Sequence, residues 1–200
     1  MANNRTQQTR RMAGLSILTA LVIVLQLVSA FVRVGPFIFT LSLAPIIIGG
    51  ALYGKKAGAW LGGVFGVVVL ILCITNVDTG GGTLWNVNPF LTAALCLIKG
   101  AAAGWASAAV YGVLSKKSSL GAVICAGVVA PVVNTGIFLI GLTVFFRPVL
   151  IDWAGIAGMN VTTYILVGMT GINFIVELVL NLVLSSVIER IINYRVKGVA

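Results

Sequence analysis

Residues 77–89 read VDTGGGTLWNVNP, with three consecutive glycines, a tryptophan and two asparagines between two long apolar runs. Gly80, Gly81 and Gly82 permit backbone angles closed to other residues and add no bulk, which suits a tight, irregular connection. Trp85 offers a flat apolar face, while Asn86 and Asn88 offer amide donors and acceptors. The stretch predicts an external loop over residues 77–88 acting as a lid over a small-molecule pocket. An ordinary connector with an interfacial tryptophan is the competing reading. Everything on either side has the character of membrane helix, so the expected fold class is an all-α membrane protein.

Composition supports that frame. The chain is 60% hydrophobic and 8% charged, with a mean hydropathy of +1.13, whereas soluble domains carry roughly 25% charged residues. At about 20 residues per span, 200 residues allow about six transmembrane helices in one domain over 1–200 and no sizeable soluble unit. There are no histidines and only four acids, Asp78, Asp152, Glu177 and Glu189. Most metal sites and most acid/base or nucleophilic mechanisms therefore lack their parts, and no enzyme, metal or cofactor is expected. Cys73, Cys96 and Cys125 sit inside apolar segments without paired spacing and read as small packing residues.

Apolar windows place helices at 12–32, 41–54, 57–76, 89–114, 120–146 and 163–192. The second is too short to cross ~30 Å of hydrocarbon untilted without help from its flanks or the bilayer. The basic start resembles a signal peptide, but its apolar run continues for about twenty residues and more spans follow, so 1–11 reads as a cytoplasmic tail. Ten of the thirteen basic residues, Arg5, Arg10, Arg11, Lys55, Lys56, Lys116, Lys117, Arg190, Arg195 and Lys197, fall on one side of such a bundle, against Arg33 and Arg147 on the other. That asymmetry predicts cytoplasmic termini and an external glycine-rich stretch. No internal repeat aligns the two halves, which weighs against an inverted-repeat carrier.

Glycine and alanine crowd the second, third and fourth apolar runs, as expected where helices pack closely in lipid. On the first run Ala13, Ser16 and Ala20 form a small-residue stripe facing either a sister helix or another protein. Polar groups meet at one depth. Lys99 is ~15 Å below the outer end of its helix, Asn134 ~18 Å, Asn173 ~15 Å and Glu177 ~21 Å at 1.5 Å per residue. Asn88, Thr92 and Lys99 share one stripe, Thr170, Asn173 and Glu177 another, and Asn134 and Thr135 follow Pro131, whose ring frees a carbonyl. Charges at midplane must face inward, so Lys99 and Glu177 either neutralise each other or leave Lys99 for an anionic ligand.

The basic start, the run Leu41-Ser42-Leu43-Ala44-Pro45-Ile46, the turn Tyr53-Gly54-Lys55-Lys56-Ala57-Gly58, and Asn173-Phe174-Ile175-Val176-Glu177 with Asn181 resemble the substrate-specific S component of energy-coupling factor vitamin transporters over nearly the whole chain. Asn88-Pro89-Phe90-x-Thr92, Cys96 and Asn134-Thr135 are most similar to the pantothenate-type branch. Two positions depart from it: Lys99 stands where that branch tends to have arginine, and Asp78-Thr79-Gly80-Gly81 where it tends to have Ser-Pro-Phe-Gly. The resemblance implies a six-helix subunit that captures a vitamin from outside, with a membrane T component and two cytoplasmic ATPases as partners. It implies binding by Trp85, Asn86, Asn88, Thr92, Lys99, Asn134, Thr135, Asn173 and Glu177, and docking by the stripe Ala13, Ser16, Ala20. Riboflavin, folate, pyridoxine and thiamine are the alternative cargoes, and a stand-alone secondary transporter is the alternative class. No phosphate-binding loop is present in the sequence, so ATP would be used by partners.

Overall fold

The computed structural model describes residues 2–31, 33–34, 37–38, 40–169 and 171–197, with side chains described at 7–31, 40–169, 174–175 and 177–194. Helix α1 spans Ala2–Ser29. It buries one stripe, Gly14, Leu18, Val22, Gln26 and Ser29, at the three- and four-residue spacing that keeps side chains on one face. A short antiparallel ribbon follows, β1 Arg33–Val34 against β2 Phe37–Ile38, with Arg33 opposite Ile38 and Val34 opposite Phe37.

Helix α2, Leu43–Tyr53, has 11 residues and at ~1.5 Å per residue is too short to cross a bilayer by itself. Instead it is wrapped by its neighbours α1, α3, α5, α6 and α9, and Leu43, Ile46 and Ile47 are fully buried at the centre of the main apolar core. Gly54 ends it at φ 88°, a left-handed angle that favours glycine, and donates its N–H to the Gly50 carbonyl at 2.9 Å. The chain then turns straight into α3, Lys55–Ile74.

Helix α5, Pro89–Leu114, matches the apolar run read from the sequence, with Pro89 in its first turn, where a missing N–H costs nothing. It packs backbone to backbone on α3. A Cβ at Gly62 would strike the carbonyl of Gly100, and one at Gly66 would lie 2.5 Å from the Cys96 oxygen and 3.0 Å from the Leu97 Cα. Small residues let the helices approach this closely. Helix α6, Ser119–Phe145, begins at Ser118, whose Oγ accepts the Gly121 N–H at 3.1 Å, and carries Pro131 inside. Beyond it lie α7, Arg147–Ile156, a single turn α8, Val161–Thr163, a π-helical stretch Tyr164–Met169, and α9, Gly171–Lys197.

Among the described residues four helices are long and apolar enough to cross a membrane, Gln7–Ser29, Lys55–Ile74, Pro89–Leu114 and Ser119–Phe145. A fifth is reached if Arg147–Ile156 and Val161–Met169, bent 90° apart, form one broken span. The expected run 163–192 is thus divided between the π-helical stretch and α9.

The glycine-rich stretch is not the irregular loop its composition predicts. Residues Thr79–Val87 form helix α4, started by Asp78, whose Oδ1 accepts the Gly81 N–H at 3.2 Å. Each glycine in a helix interior costs ~1 kcal/mol relative to alanine, which is why the sequence argued against a helix here. The glycines are present for space: a Cβ on Gly81 would collide with Cys73 Sγ, and one on Gly82 with Asn76 Oδ1. Only without side chains can α4 lie this close to the end of α3.

Helix α9 presents Glu177, Asn181, Ser185, Glu189 and Asn193 at intervals of four, the first three buried. Ser185 donates to the Asn181 carbonyl at 2.7 Å, and the Asn193 side chain donates to Glu189 at 3.3 Å and accepts from Ser119 of α6 at 3.1 Å. Gly127 of α6 faces Asn181 and Ser185 across the seam.

Candidate functional site

Inside the bundle is a cavity of about 90 Å³. Helix α1 contributes Gln26, the segment before α2 contributes Thr40, and α3 contributes Phe65, Val69 and Cys73. Asp78 with Gly81 and Leu84 of α4 close one end, while α5 supplies Thr92, Leu95, Cys96 and Lys99. Asn134, Thr135, Phe138 and Leu139 of α6, Met169, and Phe174 and Glu177 of α9 complete the wall.

The polar groups follow from helix geometry. Asn88 caps α5 by accepting the Leu91 N–H at 3.1 Å, and one turn later Thr92 returns its hydroxyl proton to the Asn88 carbonyl at 2.9 Å. Thr92 is therefore buried with its donor satisfied. Two further turns bring Lys99 to the same face, half-buried, its Nζ 4.6 Å from the centre of the Phe138 ring. An ammonium over a ring face is attracted by the ring quadrupole yet keeps its N–H donors for another partner.

Glu177, on α9, is buried. Its Oε1 accepts the Thr40 backbone N–H at 3.0 Å, while its Oε2 has no hydrogen-bond partner among the described residues. Asn134 Oδ1 is likewise buried and unpartnered. Buried acceptors left unmade are costly, and two on one cavity wall call for donors from whatever enters. Lys99 meets Phe138 and Glu177 meets Thr40.

Of the residues expected from the sequence, Thr92, Lys99, Asn134, Thr135 and Glu177 meet on this cavity. Trp85 is half-buried on α4, Asn86 is exposed and Asn88 serves as a cap, so the three stand beside the wall and not in it. Asn173 belongs to α9, but its side chain lies outside the described residues, as does Thr170 altogether. Cys73 and Cys96, expected only to pack, also line the cavity, with Cys73 Sγ 4.0 Å from Asp78 Oδ2. Sequence reasoning missed Gln26 and Thr40, and it placed Asp78 only in the cover over residues 77–88. Gln26 left a signal, a lone amide in an apolar run; Thr40 and Asp78 lie at helix ends, where polar residues are ordinary. Ala13, Ser16 and Ala20 are all exposed on the face of α1 away from the bundle, with Ser16 donating back to the Met12 carbonyl at 3.0 Å.

Apolar helices around a polar chamber, with a lysine and two unpartnered acceptors on its lining residues, define a helical membrane protein with a polar internal cavity. The family model described as ECF transporter, substrate-specific component, matches residues 10–189, and the chain belongs to that family. No curated protein and no solved structure matches the chain. Membership makes it a vitamin-type substrate-binding subunit of a transporter, not an enzyme, and a multi-pass protein of the bacterial plasma membrane.

Proposed function

We propose that this subunit captures an anionic, hydroxyl- and amide-bearing vitamin from outside, pantothenate first among candidates, for ATP-driven import by partner subunits. The observation that carries the reading is the pairing of Lys99 with two unpartnered acceptors, Asn134 Oδ1 and Glu177 Oε2, on one cavity wall. A carboxylate suits the lysine, and hydroxyl or amide N–H donors suit the two oxygens. Pockets that enclose drug-sized ligands run to ~300–1,000 Å³. A cavity of about 90 Å³ must therefore widen to load, with α4 and Thr40 as the walls nearest the outer side of the proposed topology.

In that topology six spans leave both termini in the cytoplasm, consistent with ten basic residues on one side. A membrane T component meets the exposed Ala13, Ser16, Ala20 stripe, where small side chains admit a second helix, and two cytoplasmic ATPases supply the energy. Asn173 completes the ligand contacts from α9, and Trp85, Asn86 and Asn88 support the cover. Calorimetric titration of the purified subunit with pantothenate, riboflavin, folate, pyridoxine and thiamine tests the reading. Tight binding of pantothenate alone is expected; tight binding of an uncharged vitamin and none of pantothenate refutes the anionic site.

A further inference from the structure

Three consecutive residues before α2 are each tied to a different side chain. The Thr40 N–H donates to Glu177 Oε1 of α9 at 3.0 Å, the Leu41 N–H to Ser29 Oγ of α1 at 3.3 Å, and Ser42 Oγ to Gln26 Oε1 of α1 at 2.8 Å. Ser29 is itself fixed, donating to the Leu25 carbonyl at 2.7 Å. Residues 40–42 thus form a strap bridging the first and last helices, and Thr40 belongs to the cavity wall. The two ties to α1 lie close in sequence and would survive separation of α1 from α9. The Thr40–Glu177 tie joins the strap to the far helix, across 137 positions of chain.

We propose that Glu177 is a positioning residue that fastens this strap over the cavity with one carboxyl oxygen while offering the other to the cargo. Burial decides the division of labour. Oε1 accepts the Thr40 backbone N–H, whereas Oε2 is buried without a partner among the described residues, on a side chain that lines the same cavity. The tie is made with the cavity empty, and a cargo donor at Oε2 fixes the carboxyl plane further, so that a loaded cavity holds Oε1 on Thr40 longer than an empty one. Strap closure is then coupled to occupancy through one side chain. The cargo half of this inference rests on the proposed function, but the strap half does not.

The test is hydrogen exchange of the strap amides in the ligand-free subunit, followed by vitamin dissociation rates. Glu177→Ala removes the acceptor and should speed exchange at Thr40 and Leu41 roughly tenfold or more, the scale of losing one hydrogen bond to a buried carboxyl group. Glu177→Gln keeps an acceptor oxygen for Thr40 and should restore slow exchange, yet it places an amide N–H where the cargo needs an acceptor, so vitamin release should stay fast. Thr40→Pro deletes the donor and leaves the carboxyl group in place. Leu41 exchange should rise as in Glu177→Ala, while amides of α3 and α5 remain slow and report an intact bundle. Unchanged strap exchange in Glu177→Ala and Thr40→Pro overturns the strap. Equal vitamin release from wild type and Glu177→Gln overturns the coupling. Absence of vitamin binding in the wild type overturns the proposed function and leaves the ligand-free exchange result standing.

Discussion

Replacing Gly62 by alanine tests the seam on which the whole site is built. The new methyl would collide with the Gly100 carbonyl oxygen and sit 2.7 Å from its carbon and 3.2 Å from the Ala101 Cα, all backbone atoms that have no rotamer to change. Carbon contacts settle at ~3.5–4.0 Å, so α3 and α5 must part by roughly 1 Å. Overpacking of this kind costs ~1–3 kcal/mol, offset by up to ~1 kcal/mol because alanine is the better helix former. The adjacent Gly63 is the internal control: a Cβ there has no atom within 4 Å, so Gly63→Ala gains the propensity term alone. The propensity gain is common to both variants, so they should differ by the overpacking cost of ~1–3 kcal/mol, a factor of ~5–150 in the unfolding equilibrium. Reversible unfolding in mixed micelles, followed through the four tryptophans, reads this directly. Equal stability of the two variants would mean that the helices are not in backbone contact, and the placement of Lys99 beside Gly100 would fall with it.

Lys99→Glu places a carboxylate against the cargo's own and should weaken anionic vitamin binding at least ~100-fold by calorimetry, with Lys99→Gln between it and wild type; unaltered affinity removes Lys99 from the site. Asp78→Ala loses the cap of α4 and should cost ~1 kcal/mol, seen as faster hydrogen exchange at Gly81 and Gly82; protected amides would show that α4 is held by packing alone. Ala20→Leu, on the exposed face of α1, should abolish copurification with the T component while vitamin binding persists; retained copurification places the docking surface elsewhere.

The sequence revealed most where lipid imposes a simple rule. The run at 89–114 reappears as α5 because an apolar stretch bounded by Asn88-Pro89 has both a length and a start signal. Matched depth foretold that Lys99, Asn134 and Glu177 would meet, since inward-facing polar groups at one level have little else to do. Residues 79–87 were illegible because their three glycines carry a loop signal and serve instead to make room for Cys73 and Asn76. A propensity cannot disclose that Cys73 at the end of α3 and Asn76 in the turn after it will press against these glycines. Thr40 was invisible for a related reason: it takes part through its backbone N–H, which every residue but proline possesses.

The row Glu177, Asn181, Ser185, Glu189 and Asn193 bears on how the protein is made. In the six-span topology proposed above, a lone helix with five polar positions on one side would enter hydrocarbon reluctantly, since each ionisable group at the centre of the bilayer costs ~2.5–3.5 kcal/mol on insertion scales. Helix α6 emerges from the ribosome first and holds the surface, with Gly127 and Ser119, that accepts this row. Insertion thus acquires an order: α6, made before α9, offers the surface on which the polar row of α9 is covered.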